Sequence, residues 1–383
     1  LKEMHTAPIV SFWAWYRVRS RNERPRATRA SHTVEHMQIK GTPTYPAGIL
    51  DKAISRDGGL WNAMTWLDWT TYYETMPAEK IDLALRLEAD RMTNSAFKAA
   101  DVASERTVII SERQGHENEP SFRLSEEVQA AAFRVSPYHH EVLGDMADLQ
   151  TMTRDDLYRH YREYYVPGNA IIAAAGDFDA RKMAGRIREL FAKIPTGPAP
   201  RQRARPEPPQ QGERRVTLEG PGETTHLEMV FHAPKAADPD FLPLVLLDSV
   251  LAGASNFNLF GSGISNRTSR LYRALVETEL AASVSGGLST TVDPYVYSIS
   301  ATIRQGKSPG AAEAALDAEL RRIREERITD AEMEKALKQA RAIFAYGSES
   351  ISNQAFWMGY AEIFADYSWF ITYLDRLVQI TPE

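Results

Sequence analysis

The stretch Ser31-His32-Thr33-Val34-Glu35-His36-Met37 opens a helix after a strand rich in β-branched and aromatic residues, Ile9-Val10-Ser11-Phe12-Trp13-Ala14-Trp15-Tyr16-Arg17-Val18. Residues i, i+3 and i+4 of a helix share a face, so His32, Glu35 and His36 project together. Two imidazoles one turn apart can hold one zinc ion. The carboxylate between them stands beside the metal, where it can hold a water. This is the His-Glu-x-x-His zinc helix written in reverse order. A chance meeting of surface histidines is the alternative reading of the same residues.

Composition narrows what that helix can do. The chain has 383 residues, 45 Lys+Arg, 51 Asp+Glu and a net charge of −6. A mildly acidic surface argues against a general nucleic-acid binder. No apolar run approaches the about 20 residues of a membrane span. Cysteine is absent, which excludes disulfides, thiolate metal sites and thiol nucleophiles. A catalytic zinc takes three protein ligands and keeps a fourth position open. The third must therefore be His, Asp or Glu. A helix expected over 101–113 offers Glu105 and Glu112, two turns apart on one face, a pattern that suits a solvated acidic stripe equally well.

Organisation is set by a proline-rich stretch. Pro195, Pro198, Pro200, Pro206, Pro208 and Pro209 read as a stiff extended linker over 196–215. It separates a domain at 1–195 from one at 216–383. The first half is expected to hold the strand above, the helix from Ser31, a strand pair over 62–75, and helices over 77–92, 101–113 and 155–164. A short strand over 170–175 and a helix over 182–194 complete it. The second half is expected to hold strands at 216–218, 225–231 and 295–303, with helices at 240–251, 311–324 and 330–346. Helix–loop–helix spacing matches between the halves, which suggests a duplicated unit. Without strict βαβ alternation the class is α+β, two related domains, each an antiparallel-rich sheet with helices packed on one face. Trp61, Trp66 and Trp69 read as core, and adjacent His139 and His140 are poorly placed to share one ion.

His32-x-x-Glu35-His36-Met37 followed by Lys40-Gly41-Thr42 resembles the M16 (pitrilysin/insulinase) family of zinc metallopeptidases. The similarity is to its shorter M16B-type members, which include bacterial and mitochondrial processing-peptidase-like chains. It continues through Gly58-Gly59, Asn62-Ala63-x-Thr65, Asp68-x-Thr70-x-Tyr72, Leu87-Glu88-Ala89-Asp90-Arg91-Met92, Glu105-Arg106, Glu112, Pro137-Tyr138 and Tyr165-x-Pro167-x-Asn169-Ala170. The resemblance implies a zinc-dependent endopeptidase with one Zn2+ per chain, held by His32, His36 and Glu112. Glu35 is implied as general base and Glu105 as support for a ligand imidazole. Asn62, Ala63 and Thr65 are implied to lie on or beside a sheet edge that binds peptide as an added strand, although ordinary strand residues would look the same.

The second half departs from that pattern. Leu244, Leu247 and Asp248 fall where His32, Glu35 and His36 sit, and Ala336 and Ile343 where Glu105 and Glu112 sit. This domain is expected to be catalytically silent. Active members also carry an Arg and a Tyr in a stretch resembling Leu-Arg-x-x-x-Gly-Leu-Ala-Tyr. In the matching Leu275–Val284 stretch the Gly is missing, and Val276 and Ala282 stand in the places of Arg and Tyr. Arg270 and Arg273 lie nearby but, on a helix, are expected to face elsewhere, with substitution by Arg273 as the lesser alternative. A homologous partner chain supplying the Arg/Tyr pair is therefore expected, and the resemblance implies a two-chain assembly around a closed chamber. A non-catalytic peptide-binding or assembly subunit is the alternative.

Before the zinc helix the family tends to have Gly near 19, 26 and 29, where this chain has Arg19, Arg26 and Arg29. Arg is costlier than Gly if φ must be positive. With Arg17, Arg21 and Arg24 these arginines read as a solvated basic loop, with contact to an acidic peptide or a partner as the alternative. The segments Gly253-Ala254-Ser255 and Gly261-Ser262-Gly263 read as a flexible loop near the chamber mouth. The start at Leu1 and the habits of bacterial relatives point to the periplasm, with the cytoplasm as alternative.

Overall fold

The computed structural model describes residues 1–18, 22–23, 28–197, 205–254 and 266–382. Its elements begin with β1 (Lys2–Glu3), β2 (Ile9–Tyr16), α1 (Ala30–Ile39), α2 (Ile49–Arg56), β3 (Leu60–Thr65) and β4 (Thr70–Pro77). They continue with α3 (Ile81–Asn94), α4 (Ala99–Glu117), α5 (Pro120–Ala132), α6 (Met146–Thr151), α7 (Arg154–Tyr164), β5 (Ala170–Gly176) and α8 (Ala180–Phe191). Next come β6 (Thr225–Ala233), α9 (Phe241–Leu251), β7 (Ala281–Leu288) and β8 (Tyr295–Ile303). The chain ends with α10 (Pro309–Glu325), α11 (Asp330–Ser348), α12 (Ile351–Phe364), α13 (Tyr367–Ile371) and α14 (Tyr373–Leu377).

The chain divides into two compact units, each mixing helix and sheet. The first comprises Leu1–Asn118, Phe133–Pro209 and Ser350–Ile363, and the second Glu119–Ala132, Gln210–Glu349 and Phe364–Glu383. The changeover at 209/210 falls inside the proline-rich stretch. Glu207 anchors that stretch in the first unit, accepting the backbone N–H groups of Arg134 at 2.6 Å and of Val135 and Ser136 at 2.9 Å. The units differ from a simple cut in two places: α5 belongs with the second and most of α12 with the first.

In the first unit the sheet order is β1-β5-β2-β4-β3, antiparallel except for the parallel β1/β5 pair. Central β2 is buried on both faces, and its alternation sends two residue sets in opposite directions. Val10, Phe12, Ala14 and Tyr16 join Val34 and Met37 of α1, Leu85 and Met92 of α3, and Leu157 and Tyr161 of α7 in one core. Trp13 and Trp15 point the other way, where Phe356 of α12 packs edge-on at 5.5 and 5.4 Å between ring centroids. Gly359 makes this possible, because a Cβ there would lie 2.0 Å from Trp15 Nε1. Several resemblance-bearing residues have structural jobs. Tyr138 donates its hydroxyl to Asp68 at 2.6 Å, and Asn169 Nδ2 donates to the Tyr164 carbonyl at 2.9 Å.

The second unit has the antiparallel order β6-β8-β7. Leu271, Leu275, Val284, Ile299 and Ala301 form its core with Ala312 and Leu316 of α10. Asp248, at the place aligned with His36, is buried and accepts the Tyr297 hydroxyl at 2.8 Å. Burial pushes its carboxyl up to about 7. Among the described residues, the three-member group able to hold a metal is His32, His36 and Glu112, none of it in this unit.

Some expectations need correction. Residues 216–218 form no strand, whereas β7 and the helices α2, α5 and α12 were not anticipated. Trp69 is buried, but Trp66 is 43% exposed and not core. Arg19, Arg21, Arg24, Arg26, Pro198, Pro200, Ser255 and the Gly261-Ser262-Gly263 segment lie outside the described residues. No helix among the described residues is long and apolar enough to cross a membrane.

Candidate metal centre

Helix α1 carries the centre on one face. Its first turn is fixed by Glu23, whose carboxylate accepts the backbone N–H groups of Arg29 at 2.7 Å and Ser31 at 2.8 Å. An anion there satisfies unpaired amides and suits the positive end of the helix dipole. The opposite face of α1 buries Val34 and Met37 in the core, so its orientation is set by packing.

The i, i+4 spacing brings His36 Nε2 to 3.2 Å from His32 Nε2. Helix α4 adds Glu112, and one ligand atom from each of the three residues lies within 4.8 Å of the others. Two imidazole nitrogens and a carboxylate oxygen form a donor set that zinc takes readily, with no thiolate required. One turn-pair earlier on α4, Glu105 Oε1 lies 2.9 Å from His36 Nδ1. Its other oxygen pairs with Lys40. Burial alone would raise the Glu105 carboxyl, but the hydrogen bonds and charges of Lys40 and His36 outweigh it and hold it below its usual range. An ionised Glu105 fixes the hydrogen of His36 on Nδ1 and leaves Nε2 free to ligate.

Glu35 is buried beside these groups. Burial pushes its carboxyl up to about 7, against the opposing hydrogen bond from Thr65. Thr65 Oγ1 donates to Glu35 Oε2 at 2.5 Å. The three residues expected on a peptide-binding edge thus part company. Strand β3 does lie at the edge of its sheet, paired with β4 alone among the described strands. Asn62 is exposed on it, Ala63 is buried in the core, and the Thr65 hydroxyl is committed to Glu35.

Arg29 overturns the expectation of a solvated loop. It is fully buried and adopts φ 71°, the left-handed region expected to favour glycine. Its Nε donates to His32 Nδ1 at 2.9 Å, Nη1 to the Leu143 carbonyl at 3.0 Å, and Nη2 to Glu112 Oε2 at 2.5 Å. Arg17, of the same presumed cluster, is half-buried and donates to the Glu362 carbonyl at 2.9 Å. Sequence reasoning missed the roles of Arg29, Lys40 and Glu23. Spacing could have found two: Arg29 lies three residues before His32, and Lys40 four after His36.

In the second unit, Arg270 is held by Glu332 through Nε at 2.7 Å and Nη2 at 2.8 Å, while Arg273 is exposed. Ala282 is exposed and Val276 half-buried. Glu279 takes φ 61°, a conformation that favours glycine.

Two histidines and a glutamate converging on a mixed helix–sheet fold make a donor set suited to a divalent metal. A family model described as insulinase (peptidase family M16) matches residues 1–146, and one described as the peptidase M16 inactive domain matches 151–340. The zinc protease PqqE of Helicobacter pylori is 30% identical over 370 residues, covering 94% of this chain and 78% of that one. A probable mitochondrial-processing peptidase subunit beta of Arabidopsis thaliana is 26% identical over 281 residues, covering 73% and 52%. The crystal structure of a protease from Helicobacter pylori has the same fold, with a TM-score of 0.91 at 24% identity over 99% of this chain and 90% of that one. The chain belongs to the M16 peptidase family.

Proposed function

We propose that this chain is the zinc-bearing subunit of an M16-type endopeptidase that hydrolyses unfolded peptides, with residues 1–195 as catalytic domain and 216–383 as a silent relative. The observation that carries the reading is the convergence of His32, His36 and Glu112 beside a buried Glu35. One zinc ion held by the three would polarise a peptide carbonyl and acidify a water. Glu35 then takes the water's proton on a carboxylate oxygen as the hydroxyl adds to the carbonyl carbon, and delivers it to the amine nitrogen as the C–N bond breaks. Thr65 holds Glu35 in position, and Glu105 holds the His36 ring. The exposed edge of β3 offers main-chain hydrogen bonds to an extended peptide at little cost in sequence choice, with Asn62 beside it.

Val276 and Ala282 cannot donate side-chain hydrogen bonds to an oxyanion. This favours a homologous partner that supplies an Arg and a Tyr. It equally motivates the second reading, a subunit that binds peptide or assembles without cleaving. The test is hydrolysis of a mixed pool of unstructured peptides by the zinc-loaded chain, alone and with an Arg/Tyr-bearing homologous chain, each with a chelator control. The expected result is chelator-sensitive cleavage at least about tenfold faster with the partner. Equal rates with and without it contradict the shared site, and no cleavage in either mixture favours the second reading.

A further inference from the structure

We infer that Arg29 competes with the metal for its own ligands, so that filling the site requires the guanidinium to let go of His32. The inference rests on the zinc site proposed above and concerns how Arg29 engages the ligands of that site. Guanidinium nitrogens are donors only. With Arg29 Nε at 2.9 Å, His32 Nδ1 must present its lone pair. The neutral ring then carries its hydrogen on Nε2, the atom 3.2 Å from His36 Nε2. His36 is set the other way, with Nδ1–H toward Glu105 at 2.9 Å. These contacts form a continuous chain: Arg29 donates to His32, His32 to His36, and His36 to Glu105.

That chain is incompatible with coordination. A histidine that ligates through Nε2 keeps its hydrogen on Nδ1, and in His32 this hydrogen would face the N–H of Arg29 Nε, donor against donor. Ligation through Nδ1 fails too, because Arg29 already occupies it. The same guanidinium holds Glu112 Oε2 at 2.5 Å, so two of the three ligands are engaged by one cation. Bringing a dication among them adds like-charge repulsion in a site where Arg29 is fully buried.

The arrangement is built, not incidental. Gly144, at φ 61°, leaves room for Arg29: a Cβ there would lie 2.6 Å from Arg29 Cβ. The preceding Leu143 carbonyl accepts Arg29 Nη1 at 3.0 Å. Arg29 itself stands at a backbone position where glycine would be unstrained. Glycine there removes the competitor at a φ that glycine adopts without strain.

The test is zinc affinity, measured by competition with a chromophoric chelator, for the unaltered chain, Arg29→Gly and Arg29→Met. Circular dichroism checks folding. Methionine keeps a long stem and loses every donor, so it serves if the glycine variant is unstable. Loss of the charge-assisted contacts to His32 and Glu112 should tighten zinc binding at least about ten- to a hundredfold. Long-range nitrogen–proton NMR of the unaltered chain, stripped of metal by a chelator, should show His32 protonated at Nε2. Unchanged or weaker zinc binding in a folded variant, or a His32 hydrogen on Nδ1, would overturn the inference while leaving the zinc site standing. Failure of all three proteins to bind zinc would overturn both.

Discussion

Glu35→Gln is expected to keep the zinc content of the wild-type chain and to lose peptide cleavage by roughly a thousandfold, within the range for removal of a general base. Glutamine has the volume of glutamate and can still meet the Thr65 hydroxyl, so local packing should survive. What it lacks is a carboxylate able to take a proton from water. Because Glu35 lies between the two histidines without joining the group able to hold the metal, metal binding and turnover should separate. Metal analysis and single-turnover cleavage of the same preparation, in the presence of the partner, read the two quantities. Turnover within about threefold of wild type would remove Glu35 from the mechanism.

The largest expected loss of stability comes from Arg91→Met. Arg91 is buried on α3 and bonds Glu74 Oε1 on β4 at 2.9 Å, and it also pairs with Glu88. Its guanidinium lies 4.4 Å from the centre of the Tyr72 ring. Both carboxylates are fully buried. Methionine fills similar space but leaves two carboxyl groups without their cation, a change that costs about 3–5 kcal/mol. The effect should depend on pH in a definite direction. Burial pushes the Glu74 carboxyl up to about 7 even with Arg91 opposing it. A folded-state value above the unfolded one means that stability is lost as pH rises from the unfolded value toward the folded one. The variant should therefore be most impaired above pH 7 and recover partly toward pH 5. Urea unfolding at both pH values checks this, and an equal loss at each would mean that the carboxyls are not the cause. Glu74→Gln should show the converse, a gain relative to wild type that appears only at the higher pH.

What the sequence revealed and what it concealed follow from the range of the interactions involved. His32, Glu35 and His36 were legible because helix geometry alone puts i, i+3 and i+4 on one face. Glu112 was not legible by spacing, since an acidic pair two turns apart suits solvent as well as metal, and only the family resemblance singled it out. Strand β2 was plain from its β-branched and aromatic run, but the use of both its faces was not. The partner on the second face, α12, comes from the far end of the chain and is apolar on most of its surface, so it shows little helical periodicity. Strand β7, Ala-Ala-Ser-Val-Ser-Gly-Gly-Leu, has few strong strand formers and is held by its pairing with β8. Arg29 was misread for a different reason. A cluster of arginines in sequence suggests a solvated face, yet its fate depends on a glycine more than a hundred residues away at Gly144 and on unpaired acceptors in the site.

The most direct test of the account is a zinc titration of the unaltered chain alongside His36→Gln and Glu112→Gln, read as bound metal per chain after equilibrium dialysis. The account predicts one zinc per wild-type chain at saturation, with affinity falling at least about a hundredfold in each variant, as loss of a direct ligand should produce. A wild-type chain that binds no zinc, or one whose zinc is unaffected by both substitutions, would contradict it.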